Sequence, residues 1–474
     1  MLKEIKGLNE ECGIFGVWGH KDAAQLTYYG LHSLQHRGQE GAGIVVKEGK
    51  ELRGHRGLGL IADVFGQNQL AKLTGEAAIG HVRYSTAGGN ELSNVQPFLF
   101  HFQNHSMALA HNGNLINSKT LRGELENKGT IFASSSDSEV LAHLIAQNSE
   151  ETLMERLKVS LNQVKGGFAY LLLTDEEMIA ALDPNGFRPL SIGMIDGAYV
   201  VASETCAFDV IGAKFIRDVE PGEMVRINNE GIHSEQFTNE VNPAICAMEY
   251  IYFARPDSNI KGINVHTARK KMGKTLAQEA FVEADVVTGV PDSSISAAIG
   301  YAETSGIPYE LGLIKNRYVA RTFIQPSQEL RELGVKMKLS AVRGVVEGKR
   351  VVMIDDSIVR GTTSKRIVSL LREAGAKEVH VRIGCPPLKY PCFYGIDIQT
   401  KEELIAANHT KEEICEMIGA DSLEFLSVDG LVDSIGRPYP DAKYGGVTMA
   451  YFNGDYPTQL YDFAKEVKGD FVNV

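Results

Sequence analysis

Four apolar residues, Val351 to Ile354, run straight into two acids, Asp355 and Asp356, and then into Ser357-Ile358-Val359-Arg360-Gly361-Thr362-Thr363-Ser364. A short unbroken apolar run bounded by turn-forming residues predicts a buried strand. Helical spacing begins beyond Thr363, with Ile367, Leu370, Leu371 and Ala374 on one face and Gly375 placed to stop the helix. Glu378 to Ile383 predicts the next strand, which completes a strand–helix–strand unit of a parallel sheet. Asp285 to Val290 predicts a second parallel strand, and Pro291-Asp292-Ser293-Ser294 the loop and cap before a helix at Ala297-Ala298. In the first half, Glu10 to Trp18 is strand-like, which would place Cys12 at a strand start.

Open α/β sheets bind ligands at the carboxyl ends of their strands, beside the N-terminus of the following helix. Small residues and Gly361 let backbone N–H groups turn inward around an anion there, and the helix dipole adds favourable charge. The loop therefore suits a monophosphate. It carries neither GxxxxGK[ST] nor GxGxxG. Adjacent acids at a strand end accept hydrogen bonds from a sugar diol or hold a hydrated Mg²⁺. Diol, monophosphate and metal together describe a ribose 5-phosphate bearing a pyrophosphate.

A chain of 474 residues predicts two large domains. With 43% hydrophobic and 23% charged residues it reads as globular. No apolar run approaches the roughly 20 residues needed to cross a bilayer, and the first eleven residues lack the apolar core of a secretory signal. A cytoplasmic protein with no membrane partner is expected. The net charge of -12 argues against a nucleic-acid partner. Between Leu311 and Arg350 the sign reverses, with nine Lys/Arg against three Glu, as expected of a basic loop able to close over a polyanion. The six cysteines form no CxxC pair, so zinc-ribbon and thioredoxin readings have no support.

Asp355 to Ser364 resembles the phosphoribosyl pyrophosphate (PRPP) signature of type I phosphoribosyltransferases. The resemblance implies that Asp355 and Asp356 contact the ribose hydroxyls and help position Mg²⁺, and that Ser357, Arg360, Gly361, Thr362 and Thr363 bind the 5-phosphate. Ser293, in the Pro291 to Ser294 loop facing pyrophosphate, is the matching further Mg²⁺ position. Its bland alternative is a simple N-cap.

Four segments in the first half, His36 to Gly43, Gly80 to Thr86, Ala110 to Asn114 and Ser135 to Glu139, together with Cys12, resemble the glutaminase domain of N-terminal-nucleophile amidotransferases. Read with the PRPP signature, the whole chain resembles the glutamine–PRPP amidotransferase family of purine biosynthesis. The implied fold is an α+β glutaminase, an αββα sandwich over residues 12–235, followed by an α/β phosphoribosyltransferase with a parallel sheet over 236–474. Residues 1–11 would be a propeptide. Its removal makes chemical sense, because an internal cysteine has no α-amine, whereas an amine with pKa of about 7.7 to 8.0 suits the base that a thiol nucleophile needs.

By the same resemblance Asn112 and Gly113 stabilise the oxyanion, Arg83 binds the glutamine carboxylate and Asp137 its ammonium. Each has a bland alternative: a tight turn at Asn112-Gly113, an ion pair for Arg83, and a capping box of Ser136 and Glu139 around Asp137. The implied reaction frees ammonia from glutamine at Cys12 and delivers it internally to PRPP, giving 5-phosphoribosylamine, glutamate and pyrophosphate. Purine nucleotides as inhibitors and a homotetramer are further implications. Some propeptide-bearing relatives hold a [4Fe-4S] cluster with four cysteines. Cys246 and Cys392 match two of those positions, but Asp441 to Phe452 contains no cysteine, so no cluster is expected. A purine-nucleotide-responsive regulator that keeps the PRPP fold without catalysis is the alternative. The joint presence of Cys12 and the two acids argues against it.

Overall fold

The computed structural model describes residues 12–84, 89, 91–102, 105–316, 339–396 and 400–464. The expected propeptide and most of the basic stretch between Leu311 and Arg350 lie outside the described residues.

The first half is two antiparallel sheets packed face to face. One has seven strands in the order Lys214–Asp218, Ser191–Ile195, Ala198–Ala202, Gly13–Trp18, Ala77–Arg83, Gly41–Glu48, Glu51–Leu58. The other has six: Gly231–Gln236, Glu223–Asn228, Met178–Leu182, Gly166–Leu173, His105–Leu115, Phe98–Phe102. Alternation along each strand sorts the side chains into layers. Ile14, Ile79, Ala110, Leu171 and Val225 fill the space between the sheets. Phe15, Val17, Leu31 and Phe208 pack the seven-stranded sheet against the helices Ala23–Ser33 and Cys206–Ile211. Leu109, Leu141, Leu157 and Phe168 do the same for the six-stranded sheet and the helices Ser138–Gln147 and Leu153–Gln163. The expected αββα sandwich is the result. The chain crosses between the layers at 219–222, from Lys214–Asp218 of the seven-stranded sheet to Glu223–Asn228 of the six-stranded one.

The second half is built on a four-stranded parallel sheet, Val286–Gly289, Arg350–Asp355, Glu378–Ile383 and Ser422–Phe425, in that spatial order. The central strand Arg350–Asp355 is buried from Val351 onward, which is why it reads as a continuous apolar run, whereas the edge strand Ser422–Phe425 is only partly buried. The helix after the PRPP-like loop runs from Thr362 to Glu373 with Ile367, Val368 and Leu371 buried, and Gly375, at φ 94°, ends it as its position in the sequence predicted. The short strands Leu313–Lys315 and Leu339–Ala341 pair antiparallel within the basic stretch.

Buried contacts join the halves. Phe187 of the first stacks on Tyr394 of the second with ring centroids 4.1 Å apart, and Arg188 Nη2 donates to Tyr394 O at 2.6 Å. Ile245–Cys246 pairs with Val447–Thr448, so the C-terminal segment closes back on the crossover between the halves. Asp462 reaches further and accepts from Lys119 N at 2.8 Å, at the start of the helix Ser118–Asn127. Both rings of the Phe187–Tyr394 stack are fully buried. Phe187→Ala is therefore expected to destabilise the fold by about 3–5 kcal/mol, and chemical denaturation should show the loss as separate melting of the two halves.

Candidate active sites

The parity that sorts the core also gathers the glutaminase candidates. Cys12 lies two residues before Ile14, Arg83 four beyond Ile79 and Asn112 two beyond Ala110, and those three apolar residues all face the space between the sheets. Cys12, Arg83 and Asn112 thus share one face at one end of the sandwich. The strand register agrees: Gly13 pairs with Val82, which sets Cys12 beside Arg83. The Cys12 thiol lies 3.4 Å from Tyr84 O, and the Cys12 carbonyl accepts from Arg37 Nε at 3.2 Å.

Asn112 is fully buried, and neither its amide oxygen nor its nitrogen has a hydrogen-bond partner among the described residues. An orphaned buried amide destabilises by about 1–3 kcal/mol, and the Asn112 amide keeps both its donor and its acceptor capacity open. Gly113 has φ 143°, and a Cβ there would sit 2.1 Å from Gly167 O, so no other residue fits. Both residues lie inside the strand His105–Leu115, which removes the tight-turn alternative.

Arg83 is buried, donates to Gly89 O at 3.1 Å and lies 3.9 Å from the Glu40 carboxylate. Asp137 accepts from Leu115 N at 2.8 Å, which ties it to the end of the Asn112 strand. The capping box of Ser136 and Glu139 is not formed. The Glu139 carboxylate instead accepts from Ala133 N and Ser134 N, both at 2.8 Å, and from Ser134 Oγ at 2.6 Å. It braces the loop that carries Asp137. Two buried imidazoles complete the surroundings. Burial pushes His81 down to about 3 and lowers His111, which hydrogen-bonds Ser138 Oγ at 2.8 Å and stacks on Tyr170. Both stay neutral at pH 7, so they act as dipoles and not as competing cations.

The transferase candidates line a cavity of about 430 Å³ bounded by 355–364, 290–293, Arg255, Arg269, Lys315 and, from the glutaminase half, His36. Asp355 ends its strand and accepts from Asp356 N at 3.0 Å and Ser294 Oγ at 3.3 Å. Asp356 takes hydroxyl hydrogen bonds from Ser293 and from Ser357, the latter at 2.8 Å. Burial and the adjacent Asp356 push the Asp355 carboxyl well above its usual range. Burial raises Asp356 as well, against the pull of Ser293, Ser357 and the Arg269 guanidinium. Gly361, at φ 76°, turns the chain into the helix whose first residues are Thr362 and Thr363, so unbonded helix N–H groups border the cavity. Arg360 lies on the wall and holds Glu403 at 2.7 Å, while Lys315 holds Asp292 at 3.1 Å.

Hard oxygen donors under mutual repulsion are a donor set that fits Mg²⁺. Among the described residues no group of three or more His, Cys, Asp or Glu could hold a metal alone. A metal here would depend on substrate oxygens for the rest of its coordination.

Cys246 and Cys392 are both buried around Tyr451. The Tyr451 hydroxyl lies 2.9 Å from Cys246 Sγ, and burial followed by the two thiols raises its pKa well above the usual value. The phenol fills the space beside the thiols.

Sequence reasoning named none of Arg37, Glu204, Glu249, Arg255 and Arg269 as functional. Glu249 did leave a signal, as the one acid inside the apolar run Ala244 to Ala254.

An N-terminal-nucleophile type of sandwich fused to a parallel-sheet phosphoribosyltransferase defines the class as a two-domain glutamine amidotransferase. Residues 81–210 match the family model described as a glutamine amidotransferase domain. The chain is 68% identical over 462 residues to the amidophosphoribosyltransferase of Bacillus subtilis, covering 97% of each, and 58% identical over 464 residues to that of Staphylococcus aureus strain Mu50, covering 98% of this chain and 94% of that one. A solved structure described as glutamine PRPP amidotransferase from B. subtilis complexed with ADP and GMP superposes with a TM-score of 0.91 at 66% identity, covering 95% of this chain and 98% of that one. A second, described as the allosteric regulatory enzyme of purine biosynthesis, gives 0.92 at 67% identity, with 95% and 97% covered. The chain belongs to the amidophosphoribosyltransferase family.

The brace behind Asp137 carries its own pH signature. Burial opposes ionisation of Glu139, yet hydrogen bonds from His143, Ser134 and two backbone N–H groups outweigh it and bring the carboxyl down to about 2. A folded-state value below the ordinary 4.5 means the stabilisation is present above 4.5 and is lost as pH falls toward 2. Glu139→Gln should cost about 1–3 kcal/mol at pH 7, with the difference in thermal midpoint from the parent closing as pH is lowered through that window.

Proposed function

We propose that this enzyme converts PRPP and glutamine to 5-phosphoribosylamine, glutamate and pyrophosphate, opening purine biosynthesis, with Cys12 and the Asp355-Asp356 pair at two sites of one chain. The observation that carries the reading is the orphaned amide of Asn112 on the same inter-sheet face as Cys12, in a chain whose other half carries the PRPP-like loop.

The roles follow from the chemistry of each group. Removal of residues 1–11 gives Cys12 an α-amine, which accepts the thiol proton as sulfur attacks the carboxamide carbon of glutamine. The amide nitrogen of Asn112 and the N–H of Gly113 donate to the oxygen on which charge develops; both are held in place beforehand, so no reorganisation opposes the step. Arg83 pairs with the substrate carboxylate and Asp137 with its ammonium. Ammonia leaves, and water releases glutamate from the thioester. In the other pocket Asp355 and Asp356 accept from the ribose hydroxyls, while N–H groups from Ser357 to Thr363 receive the 5-phosphate, with Arg360 beside them. Mg²⁺, held by Asp355, Asp356 and Ser293 together with substrate oxygens, would supply neutralisation of the pyrophosphate charge. Ammonia passes internally to C1.

Among the described residues no helix is long and apolar enough to cross a membrane, which supports a cytoplasmic enzyme. The ADP and GMP bound to the B. subtilis relative support purine nucleotides as inhibitors here. The edge strand Lys214–Asp218, with Phe215 52% and Ile216 44% exposed, supports association with further copies of the chain, for which a homotetramer is the assembly proposed. Tyr451 between Cys246 and Cys392 supports an enzyme without an iron–sulfur cluster. Iron and acid-labile sulfide should both be substoichiometric in anaerobically purified protein.

Cys12→Ala should abolish glutamine-dependent synthesis and leave ammonia-dependent synthesis near the parent rate. Loss of both in a folded variant contradicts separate sites. Asn112→Ala should lower glutamine-dependent turnover by about 10²–10³, again sparing ammonia. Chelation of divalent metal should abolish synthesis from either donor. The intact mass of active enzyme should correspond to a chain beginning at Cys12; an active full-length precursor contradicts the assigned base.

A further inference from the structure

The junction between the halves contains a cluster of charges that neither pocket requires for binding. Arg37 is 1% exposed and uses its whole guanidinium: Nε donates to the carbonyl of Cys12 at 3.2 Å, Nη1 to Glu204 at 2.6 Å and to Glu249 at 3.0 Å, and Nη2 to Glu249 at 2.7 Å. Glu249 is fully buried in the turn Glu249–Phe253 that opens the transferase half. Its carboxylate also faces Arg188 at 3.5 Å, and Arg188 holds the backbone of Tyr394.

Glu204 carries the connection the other way. It accepts from His36 Nε2 at 2.7 Å, Ser258 Oγ at 2.6 Å and Arg255 N at 2.9 Å. His36 and Arg255 both stand in the wall of the 430 Å³ cavity. An unbroken series of charge-assisted hydrogen bonds therefore runs from the backbone of Cys12 to the wall of the transferase cavity. Every member of it but His36 and Arg255 is inaccessible to water.

We propose that Glu204 and Glu249 are positioning residues that tell Cys12 whether the transferase cavity is filled. The proposal rests on the functional reading above. A polyphosphate entering the cavity attracts the imidazole of His36, and that movement loosens its hold on Glu204. The lone pairs so released are available to Arg37, whose guanidinium turns about its second anchor, Glu249, and carries the Cys12 carbonyl with it. Glu249 is the pivot. With a neutral amide in its place Arg37 loses its charged partner on the transferase side, and the filled cavity no longer reaches Cys12. The device needs no new contact between the two substrates. It also gives a reason for burying charges where apolar packing would hold the halves together at least as well.

The experiment compares the processed parent enzyme with Glu249→Gln, reading glutamate release with and without saturating PRPP and Mg²⁺, and ammonia-dependent synthesis in parallel. The parent is expected to hydrolyse glutamine faster when PRPP is bound. Glu249→Gln is expected to lose about fivefold or more of that stimulation, with hydrolysis in the absence of PRPP and ammonia-dependent synthesis within about twofold of the parent. Ser258→Ala removes one hydrogen bond to Glu204 without changing charge and keeps the test open if Glu249→Gln does not fold; it should shift the stimulation in the same direction. Full stimulation in both folded variants overturns the inference, as does an equal fall of all three activities, which would mark a merely structural junction. A parent whose hydrolysis ignores PRPP overturns it as well. A parent that makes no phosphoribosylamine from either donor overturns the functional reading instead, so the two failures are told apart.

Discussion

Burying a charge is among the most unfavourable things a fold can do, and this one buries Arg37, Arg188, Glu204 and Glu249 together at a single seam. Such groups are tolerated only when each meets an opposite charge at hydrogen-bonding distance, and removing one partner destabilises by about 3–5 kcal/mol. The seam therefore admits one relative placement of the two halves. The Phe187–Tyr394 stack adds apolar area to it, and the return of the C-terminal segment onto Cys246 and Ser118–Asn127 closes it from outside. Cys12 depends on this directly, since its carbonyl is one of the groups that Arg37 holds.

Both pockets obey a second constraint, the geometry of strand ends. In the sandwich, a two-residue period carries Cys12, Arg83 and Asn112 to one face beyond the last apolar layer. In the parallel sheet, the carboxyl end of Arg350–Asp355 leaves two acids facing a helix N-terminus. The acids repel each other and are raised by burial, and Asn112 is left without partners. Each candidate site thus stores a local instability that the surrounding sheets maintain.

The transferase site was the more legible in the sequence because its parts are contiguous. Strand, acids, loop and helix follow one another from Val351 to Ala374, and the strand Glu378–Ile383 and the stop at Gly375 lie where the pattern put them. The glutaminase candidates Cys12, Arg83 and Asn112 share a face through sheet order and not through spacing, and Asp137 is tied to the end of the Asn112 strand, so only resemblance could collect them. The alternatives for Asn112-Gly113 and for Ser136 with Glu139 failed for one reason. Both are local rules, and tertiary pairing overrode them with a strand in the first case and a loop brace in the second. The seam was the least legible part. His36, Arg37, Glu204 and Glu249 are polar residues scattered over more than two hundred positions, and an isolated Arg or Glu in a sequence reads as surface.

If both pockets belong to one coupled enzyme, nitrogen should pass between them without mixing with the solvent. Turnover of the processed enzyme with ¹⁵N-amide glutamine in the presence of excess unlabelled ammonium tests this most directly, at a pH low enough to keep the ammonium charged. Phosphoribosylamine carrying the ¹⁵N fraction of the glutamine supplied, whatever the ammonium concentration, is the result expected. Product whose label falls to that of the bulk nitrogen pool would contradict the account.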